Sequence, residues 1–160
     1  MKLHDLLGTS DGCAVPDSFA LYEIAVGHSS AASSVKAAMS AGELRLVIPA
    51  VTFAVSCAMR TCWDEYCTKS HQSGVGTAVQ GLLGRGGVEL LELTPQDAAS
   101  AGKLYARSVD RHIEGPEVLA ACHSSYAAGV RNAPLLSTGR ASYCYAATLG
   151  EAERSQIRLI

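Results

Sequence analysis

The chain has 160 residues, 48% of them hydrophobic, and its 13 basic and 15 acidic side chains leave a formal net charge of −2. This length predicts a single domain over 1–160 with one core and no linker. A chain with this charge lacks the excess of Lys and Arg that dominates nucleic-acid affinity, so any RNA or DNA contact would depend on a local basic patch. No apolar stretch is long enough to span a bilayer and no signal pattern opens the chain, which predicts a cytoplasmic protein with no membrane segment.

The first half of the chain alternates short apolar runs with helical periodicities. Residues 1–11 have the mixed, turn-rich composition of a loosely held N-terminal extension. The elements predicted after it are a strand ending before Asp17, helices over 19–26 and 31–41, a strand over 44–48 closed by Pro49, a long helix over 50–69 and a helix over 74–83.

The second half continues the same alternation. Thr94, Pro95 and Asp97 form a strong helix start, with Thr at the N-cap, Pro at N1 and an acid at N3. The predicted elements are a strand over 88–93, a helix from Thr94 to about 108, a helix over 117–128 opened by Pro116, a strand over 134–138, a loop or short helix over 139–147 and a strand over 157–160. The order β-α-α-β-α-α-β-α-α-β-α-β predicts an α/β fold, with three α/β/α layers and a mostly parallel central sheet.

The six cysteines do not form a recognisable metal or disulfide framework. Cys57, Cys62 and Cys67 recur every five residues on a predicted helix, so they do not share a face, and the chain has no C-x-x-C pair. The best zinc-like pair is Cys67 with His71 at i, i+4. Reduced thiols that pack as small hydrophobes are the favoured interpretation.

Four polar residues are expected at the carboxyl edge of the predicted sheet, where open α/β sheets bind ligands. Asp17 and Ser18 follow the first strand, Glu117 lies in the first turn of its helix, and Thr138 follows the fourth strand. A pair of carboxylates is the minimum for Mg²⁺ or Mn²⁺. Alternatively, Asp17 caps the first helix, since Asp is among the preferred N-cap residues.

Four segments around these residues resemble PIN domains. They are Val15-Pro16-Asp17-Ser18-Phe19-Ala20-Leu21, Val47-Ile48-Pro49-Ala50-Val51-Thr52-Phe53-Ala54, and Glu117-Val118-Leu119-Ala120-Ala121 together with Ala133-Pro134-Leu135-Leu136-Ser137-Thr138. The resemblance covers roughly residues 12 to 160 and is closest to the PIN toxins of bacterial toxin–antitoxin modules. It implies a Mg²⁺-dependent ribonuclease that forms a homodimer and is inhibited by a cognate antitoxin.

The acidic site is degenerate by comparison with that family. The second acid of PIN nucleases matches Val55, the third matches Glu117 with Asp110 as the fallback, and the fourth falls at Gly139 or Arg140. Two of the four acids therefore remain. Losing two carboxylates should weaken Mg²⁺ binding and the activation of the attacking water.

Two hypotheses about function follow. The first is a PIN-like, metal-dependent endoribonuclease with weakened activity. In it, Asp17 and Glu117 bind Mg²⁺ or Mn²⁺, and Ser18 and Thr138 lie around these ligands without contacting the ion. The second, motivated by the lost acids, is a catalytically inactive PIN-fold protein that binds a protein or nucleic acid. A generic three-layer α/β fold without PIN function is a third interpretation.

Several other side chains have ordinary structural interpretations beside functional ones. His123 is expected on the helix surface or half-buried rather than catalytic. The tyrosines at 126, 143 and 145 could stack on bases or pack in the core. Arg140 could meet a phosphate or pair with Glu117 across the site.

Overall fold

The computed structural model describes residues 12–27, 29–59 and 75–160. Within these residues, five parallel strands form one sheet in the order β3-β2-β1-β4-β5. The strands are β1 (Cys13–Pro16), β2 (Arg45–Pro49), β3 (Val88–Leu91), β4 (Leu135–Ser137) and β5 (Ile157–Leu159). The helices are α1 (Ser18–Val26), α2 (Ser30–Ser40), α3 (Ala50–Ala58), α4 (Val75–Leu83), α5 (Pro95–Val109), α6 (Pro116–Arg131), α7 (Ser142–Thr148) and α8 (Glu151–Arg154), with a 3₁₀ turn at Gly139–Ala141.

Successive residues of the central strands point into two different cores, because side chains alternate across a sheet. On β1, Ala14 packs in one core and Val15 in the other, and Leu136 and Leu135 of β4 divide in the same way. The first core contains residues of α1, α2 and α4, and the second contains residues of α5, α6 and α7. The predicted three-layer α/β/α fold is therefore confirmed, with a sheet that is parallel throughout the described strands.

The helix starts follow their capping chemistry. Thr94 accepts a hydrogen bond from the Asp97 N–H, and the Asp97 side chain accepts one from the Thr94 N–H, so the two form a capping box. Pro116 opens α6 at a position where its missing N–H costs nothing. Apart from the helix predicted over 50–69, the ends of the predicted elements lie within three residues of the observed ones.

The long helix predicted over 50–69 is wrong in its length. It ends at Ala58, because Met59 adopts an extended backbone with ψ of 146°. The rest of that prediction, including Cys62, Cys67 and the pair with His71, lies outside the described residues. The segment predicted as a loop or short helix over 139–147 is the 3₁₀ turn followed by α7, and α8 was not predicted.

The four cysteines within the described ranges, Cys13, Cys57, Cys122 and Cys144, are free thiols, as expected for packed hydrophobes. None of the described helices is both long and apolar enough to cross a membrane.

Candidate functional site at the carboxyl edge of the sheet

Asp17 lies directly after β1 and begins α1. Its backbone N–H donates to the Leu136 carbonyl at 2.9 Å, because β1 pairs with β4 at this point. Its Oδ1 atom accepts a hydrogen bond of 2.7 Å from the Ala20 N–H, so the carboxylate is the N-cap of α1. The capping interpretation of Asp17 is therefore confirmed.

The other carboxylate oxygen of Asp17 is held by two hydroxyl groups. Oδ2 accepts a hydrogen bond of 2.5 Å from Ser137 Oγ and one of 2.6 Å from the Tyr145 phenol. Asp17 has 0% exposure, and this burial raises the pKa of the carboxyl, while hydrogen bonds from Ser137, Tyr145 and the Ala20 N–H act in the opposite direction. Both oxygens of Asp17 are thus engaged by the protein itself.

A cluster of buried hydroxyls, Thr52, Ser56 and Ser124, lies behind the same strand end. Ser124 donates to the Pro16 carbonyl at 3.0 Å and shares a hydrogen bond of 2.6 Å with Thr52. Ser56 donates to the Ser18 carbonyl at 3.0 Å. These hydroxyls connect α3 and α6 to the junction of β1 and α1, so they fix the backbone on both sides of Asp17.

Two side chains predicted beside the acids, Ser18 and Thr138, have unused hydroxyls. Ser18 Oγ and Thr138 Oγ1 are both buried and have no hydrogen-bond partner within the described part of the chain. A buried hydroxyl without a partner carries a desolvation cost of about 1–3 kcal/mol. These two atoms are therefore the unsatisfied polar positions of this edge.

Glu117 lies at the same edge, in the first turn of α6, and is half-buried. The negative charges of Glu117 and Asp17 both influence the pKa of Cys144. Burial raises the pKa of the Cys144 thiol to about 11, and the negative charges of Asp17 and Glu117 add to that rise. The structure thus places Asp17 at the N-cap of α1 and Glu117 in the first turn of α6, both at this edge of the sheet.

Non-acidic residues stand at the positions where the PIN pattern has its second and fourth acids. Val55 is a half-buried apolar residue of α3, and Arg140 lies in the 3₁₀ turn with its guanidinium carbon 5.4 Å from the centre of the Phe19 ring. Burial lowers the pKa of Arg140, whereas Tyr22 and Glu23 act to raise it. The fallback acid, Asp110, is exposed at the C-terminal end of α5. The positively charged side chain of Arg140 therefore lies at a position where the PIN pattern has an acidic residue.

The donor set does not fit a Mg²⁺ or Mn²⁺ ion in this conformation. Such ions take several oxygen ligands and keep several waters, which requires open space beside the carboxylates. Asp17 has no exposed surface and both of its oxygens already accept hydrogen bonds. Across the described ranges, no three side chains of His, Cys, Asp or Glu are grouped so that they could hold a metal ion.

The structure corrects the expectation for His123 and decides between the two interpretations of Tyr145. His123 was expected at the surface or half-buried, but it is buried on α6, and within the described residues neither ring nitrogen has a hydrogen-bond partner. Burial lowers the pKa of His123, with Asp97 opposing this shift. Tyr145 is buried against Asp17 and cannot stack on a base, whereas Tyr143 is 44% exposed.

The hydrogen-bond partners of Asp17 were not found from the sequence. Ser137 and Tyr145 are 120 and 128 positions away from it in the chain. The available signal was the short strand over 134–138, since a serine at the end of a neighbouring parallel strand must lie beside Asp17. Tyr145 gave no comparable signal, because its helix follows an irregular turn.

No family model matches the chain, and no curated protein is similar to it at the level of sequence. The fold has a counterpart among solved structures. One chain of the crystal structure of VapBC2 from Rickettsia felis, bound to a DNA fragment from their promoter, superposes with a TM-score of 0.54. The sequence identity is 12%, and the match covers 92% of this chain and 97% of that one. This similarity shows that the two chains share a fold over nearly their whole length.

Proposed function

We propose that this chain is a PIN-fold protein of the toxin–antitoxin kind that acts by binding a protein partner and does not cleave RNA with a metal ion. The observation that carries the proposal is the Asp17 carboxylate, which is fully buried and accepts hydrogen bonds from Ala20, Ser137 and Tyr145. A catalytic carboxylate must instead offer its oxygens to the ion and its waters. In this chain those oxygens stabilise the fold.

The edge around Asp17 offers groups that suit a protein interface. Arg140 lies over Phe19, and Tyr143 beside it is 44% exposed. Arg and Tyr are the residue types most enriched among interface hot spots. The net charge of −2 favours a protein over RNA as the partner. The assembly that shares the fold, VapBC2, supports an antitoxin-like protein as that partner.

A metal-dependent ribonuclease is the second candidate function. Two observations favour it: the hydroxyls of Ser18 and Thr138, which are unsatisfied within the described residues, and the positions of Asp17 and Glu117 at the starts of α1 and α6. It requires that Asp17 leave its present hydrogen bonds, because no room for an ion and its waters exists otherwise. The homodimer implied by the PIN resemblance remains a prediction for either function, to be checked by light scattering of the purified protein.

The proposal is tested with the product of the neighbouring gene as the binding partner, measured by calorimetry. Arg140→Glu and Tyr143→Ala are expected to weaken the complex by roughly tenfold or more each. Arg85→Glu changes the net charge by the same amount as Arg140→Glu, at an exposed loop between α4 and β3, and should leave affinity unchanged. Equal affinity of all four proteins would remove this edge as the interface.

A further inference from the structure

A cavity of about 540 Å³ lies between α5, α6 and the segment that follows α7. It opens on the amino side of β4 and β5, since Leu135 begins β4 and Gln156 directly precedes β5. Asp17 follows the carboxyl end of β1, and none of the carboxyl-edge residues described above lines this cavity. The volume is in the range of small-molecule sites, which is about 300–1,000 Å³.

The walls of this cavity are mainly apolar. Leu104 of α5, Val130 of α6 and Leu149 after α7 line it, together with the ring of Tyr126. Val130 is 66% exposed. A ligand with an apolar body would remove this surface from water, a gain of roughly 25 cal/mol per Å².

Two cations stand on one wall, one helical turn apart. Lys103 and Arg107 both line the cavity from α5. Lys103 makes no ion pair or hydrogen bond with the described residues, and Arg107 has only a long contact of 3.5 Å to the Thr148 carbonyl. Both cations are therefore available to a bound anion.

The acid on the facing wall is already engaged. Glu153 accepts a hydrogen bond of 2.8 Å from the Gly150 N–H at the start of α8. Within the described residues, no ion pair joins this carboxylate to Lys103. The cavity thus combines an ammonium that has no partner among the described residues, a guanidinium on the same helix and apolar walls, with Ser100 and Gln156 as uncharged polar groups.

We propose that this cavity binds a small organic anion, in which one carboxylate or phosphate is carried on an apolar or aromatic body. The anionic group pairs with Lys103 and Arg107, and the body packs between Leu104, Val130 and Leu149 beside Tyr126. Charge complementarity selects the anion, because burying an unpaired ammonium against an apolar ligand would be unfavourable. This site is independent of the function proposed for the carboxyl edge.

The test is calorimetric binding of two soluble probes to the full chain, decanoate and adenosine 5′-monophosphate, with decanol and adenosine as uncharged counterparts. The two arms distinguish an acyl carboxylate from a nucleotide phosphate as the source of the anion. Lys103→Met keeps the aliphatic stem and removes the charge. Arg85→Met removes a remote exposed charge and is its matched control.

A second pair of variants fills space rather than removing charge. Gly129 lines the cavity on α6, and a Cβ added there meets nothing within 4 Å, so Gly129→Phe adds a large side chain at the cavity wall from a position with open space around its Cβ. Gly102 on α5 has the same free space and does not line the cavity, so Gly102→Phe is the matched control.

We expect at least one charged probe to bind with a dissociation constant below about 1 mM, and its uncharged counterpart to bind more weakly. Lys103→Met should weaken binding by roughly tenfold or more, Gly129→Phe should abolish it, and both control variants should bind like the unaltered chain. The proposal is overturned if neither charged probe binds, if the uncharged counterparts bind equally well, or if Lys103→Met and Gly129→Phe leave binding unchanged.

Discussion

The Tyr145 phenol donates a hydrogen bond of 2.6 Å to Oδ2 of Asp17, joining α7 to the start of α1 across 128 positions of the chain. Ser137 donates to the same oxygen at 2.5 Å. A carboxylate held in this way fixes three elements, β1, β4 and α7, relative to one another. The interactions of Asp17 therefore predict stability effects that a solvent-facing catalytic acid would not show.

Removing the phenol hydroxyl should destabilise the fold. Tyr145→Phe keeps the ring in its buried position but leaves Asp17 Oδ2 with Ser137 as its only side-chain donor among the described residues. We expect a loss of about 1–3 kcal/mol in the free energy of unfolding, measured by urea denaturation. Tyr143→Phe, at a partly exposed ring two positions away, should change that free energy by less than about 0.5 kcal/mol. Equal effects of the two variants would contradict the role given to Tyr145.

Replacing the Asp17 carboxylate by an amide should alter the pH dependence of stability. Burial raises the pKa of Asp17 above 3.8, so its contribution to stability is fully present below pH 3.8 and is lost as pH rises through the higher folded-state value. Asp17→Asn does not titrate and keeps a good N-cap. The free energy of unfolding of the variant, relative to the unaltered chain, should therefore increase between pH 4 and pH 8.

The control for that comparison is Asp17→Ala, which also does not titrate but removes the cap and the carboxylate that accepts from the Ser137 and Tyr145 hydroxyls. It should be less stable than Asp17→Asn by about 1–3 kcal/mol at every pH tested. A relative stability of Asp17→Asn that falls as pH rises would show that the folded-state pKa of Asp17 is lowered, contrary to the buried environment described above.

His123 should make the fold sensitive to mild acid. Its pKa is lowered from 6.5 by burial, so the unfolded chain takes up the proton first and stability is lost as pH falls below 6.5. Asp97, which faces His123 from α5, opposes the shift. His123→Leu should reduce the loss of unfolding free energy between pH 7 and pH 5, as followed by thermal or urea denaturation.

His112→Asn is the matched control for His123→Leu, because it removes an exposed imidazole and keeps a residue type that tolerates the φ of 59° at that position. Since neither nitrogen of His123 has a partner within the described residues, the leucine variant should also be at least as stable as the unaltered chain at pH 7. A steep acid transition retained in His123→Leu would assign the effect to another group.

The hydroxyl cluster offers a prediction with a neighbouring control. Ser124→Ala removes the donor to the Pro16 carbonyl and the partner of Thr52, and both of those atoms are buried. We expect a loss of about 1–3 kcal/mol in unfolding free energy. Ser125→Ala removes only a bond to the Ala121 carbonyl of its own helix and should cost less than about 0.5 kcal/mol. Hydrogen exchange of the β1 and α1 amides provides a second readout for Ser124→Ala.

Local signals were sufficient to predict the order of strands and helices. The start of α5 at Thr94 and the start of α6 at Pro116 follow from capping chemistry within a few residues, and both are confirmed. The end of α3 at Ala58 was missed because the apolar periodicity continues past it in the sequence, and no Gly or Pro marks the change of backbone at Met59.

The chemistry of the site was harder to predict, because it depends on contacts between distant segments. The pattern around Asp17 fits a helix cap and a metal ligand equally well, since both uses place a carboxylate after a strand. The contacts of Asp17 with Ser137 and Tyr145 bear on this choice, and they depend on the pairing of β4 with β1 and on the position of α7. The burial of His123 depends in the same way on how α5 packs against α6.

The measurement that tests the central claim most directly is Mn²⁺ binding and RNA cleavage by the unaltered chain and Asp17→Asn, made on the same preparations. Asp17 is fully buried and accepts hydrogen bonds from Ser137, Tyr145 and Ala20. We therefore expect no Mn²⁺ binding tighter than about the millimolar range and no RNA cleavage that depends on Mg²⁺ or Mn²⁺. Cleavage that requires Mn²⁺ and disappears in a folded Asp17→Asn variant would contradict the claim and establish the ribonuclease in its place.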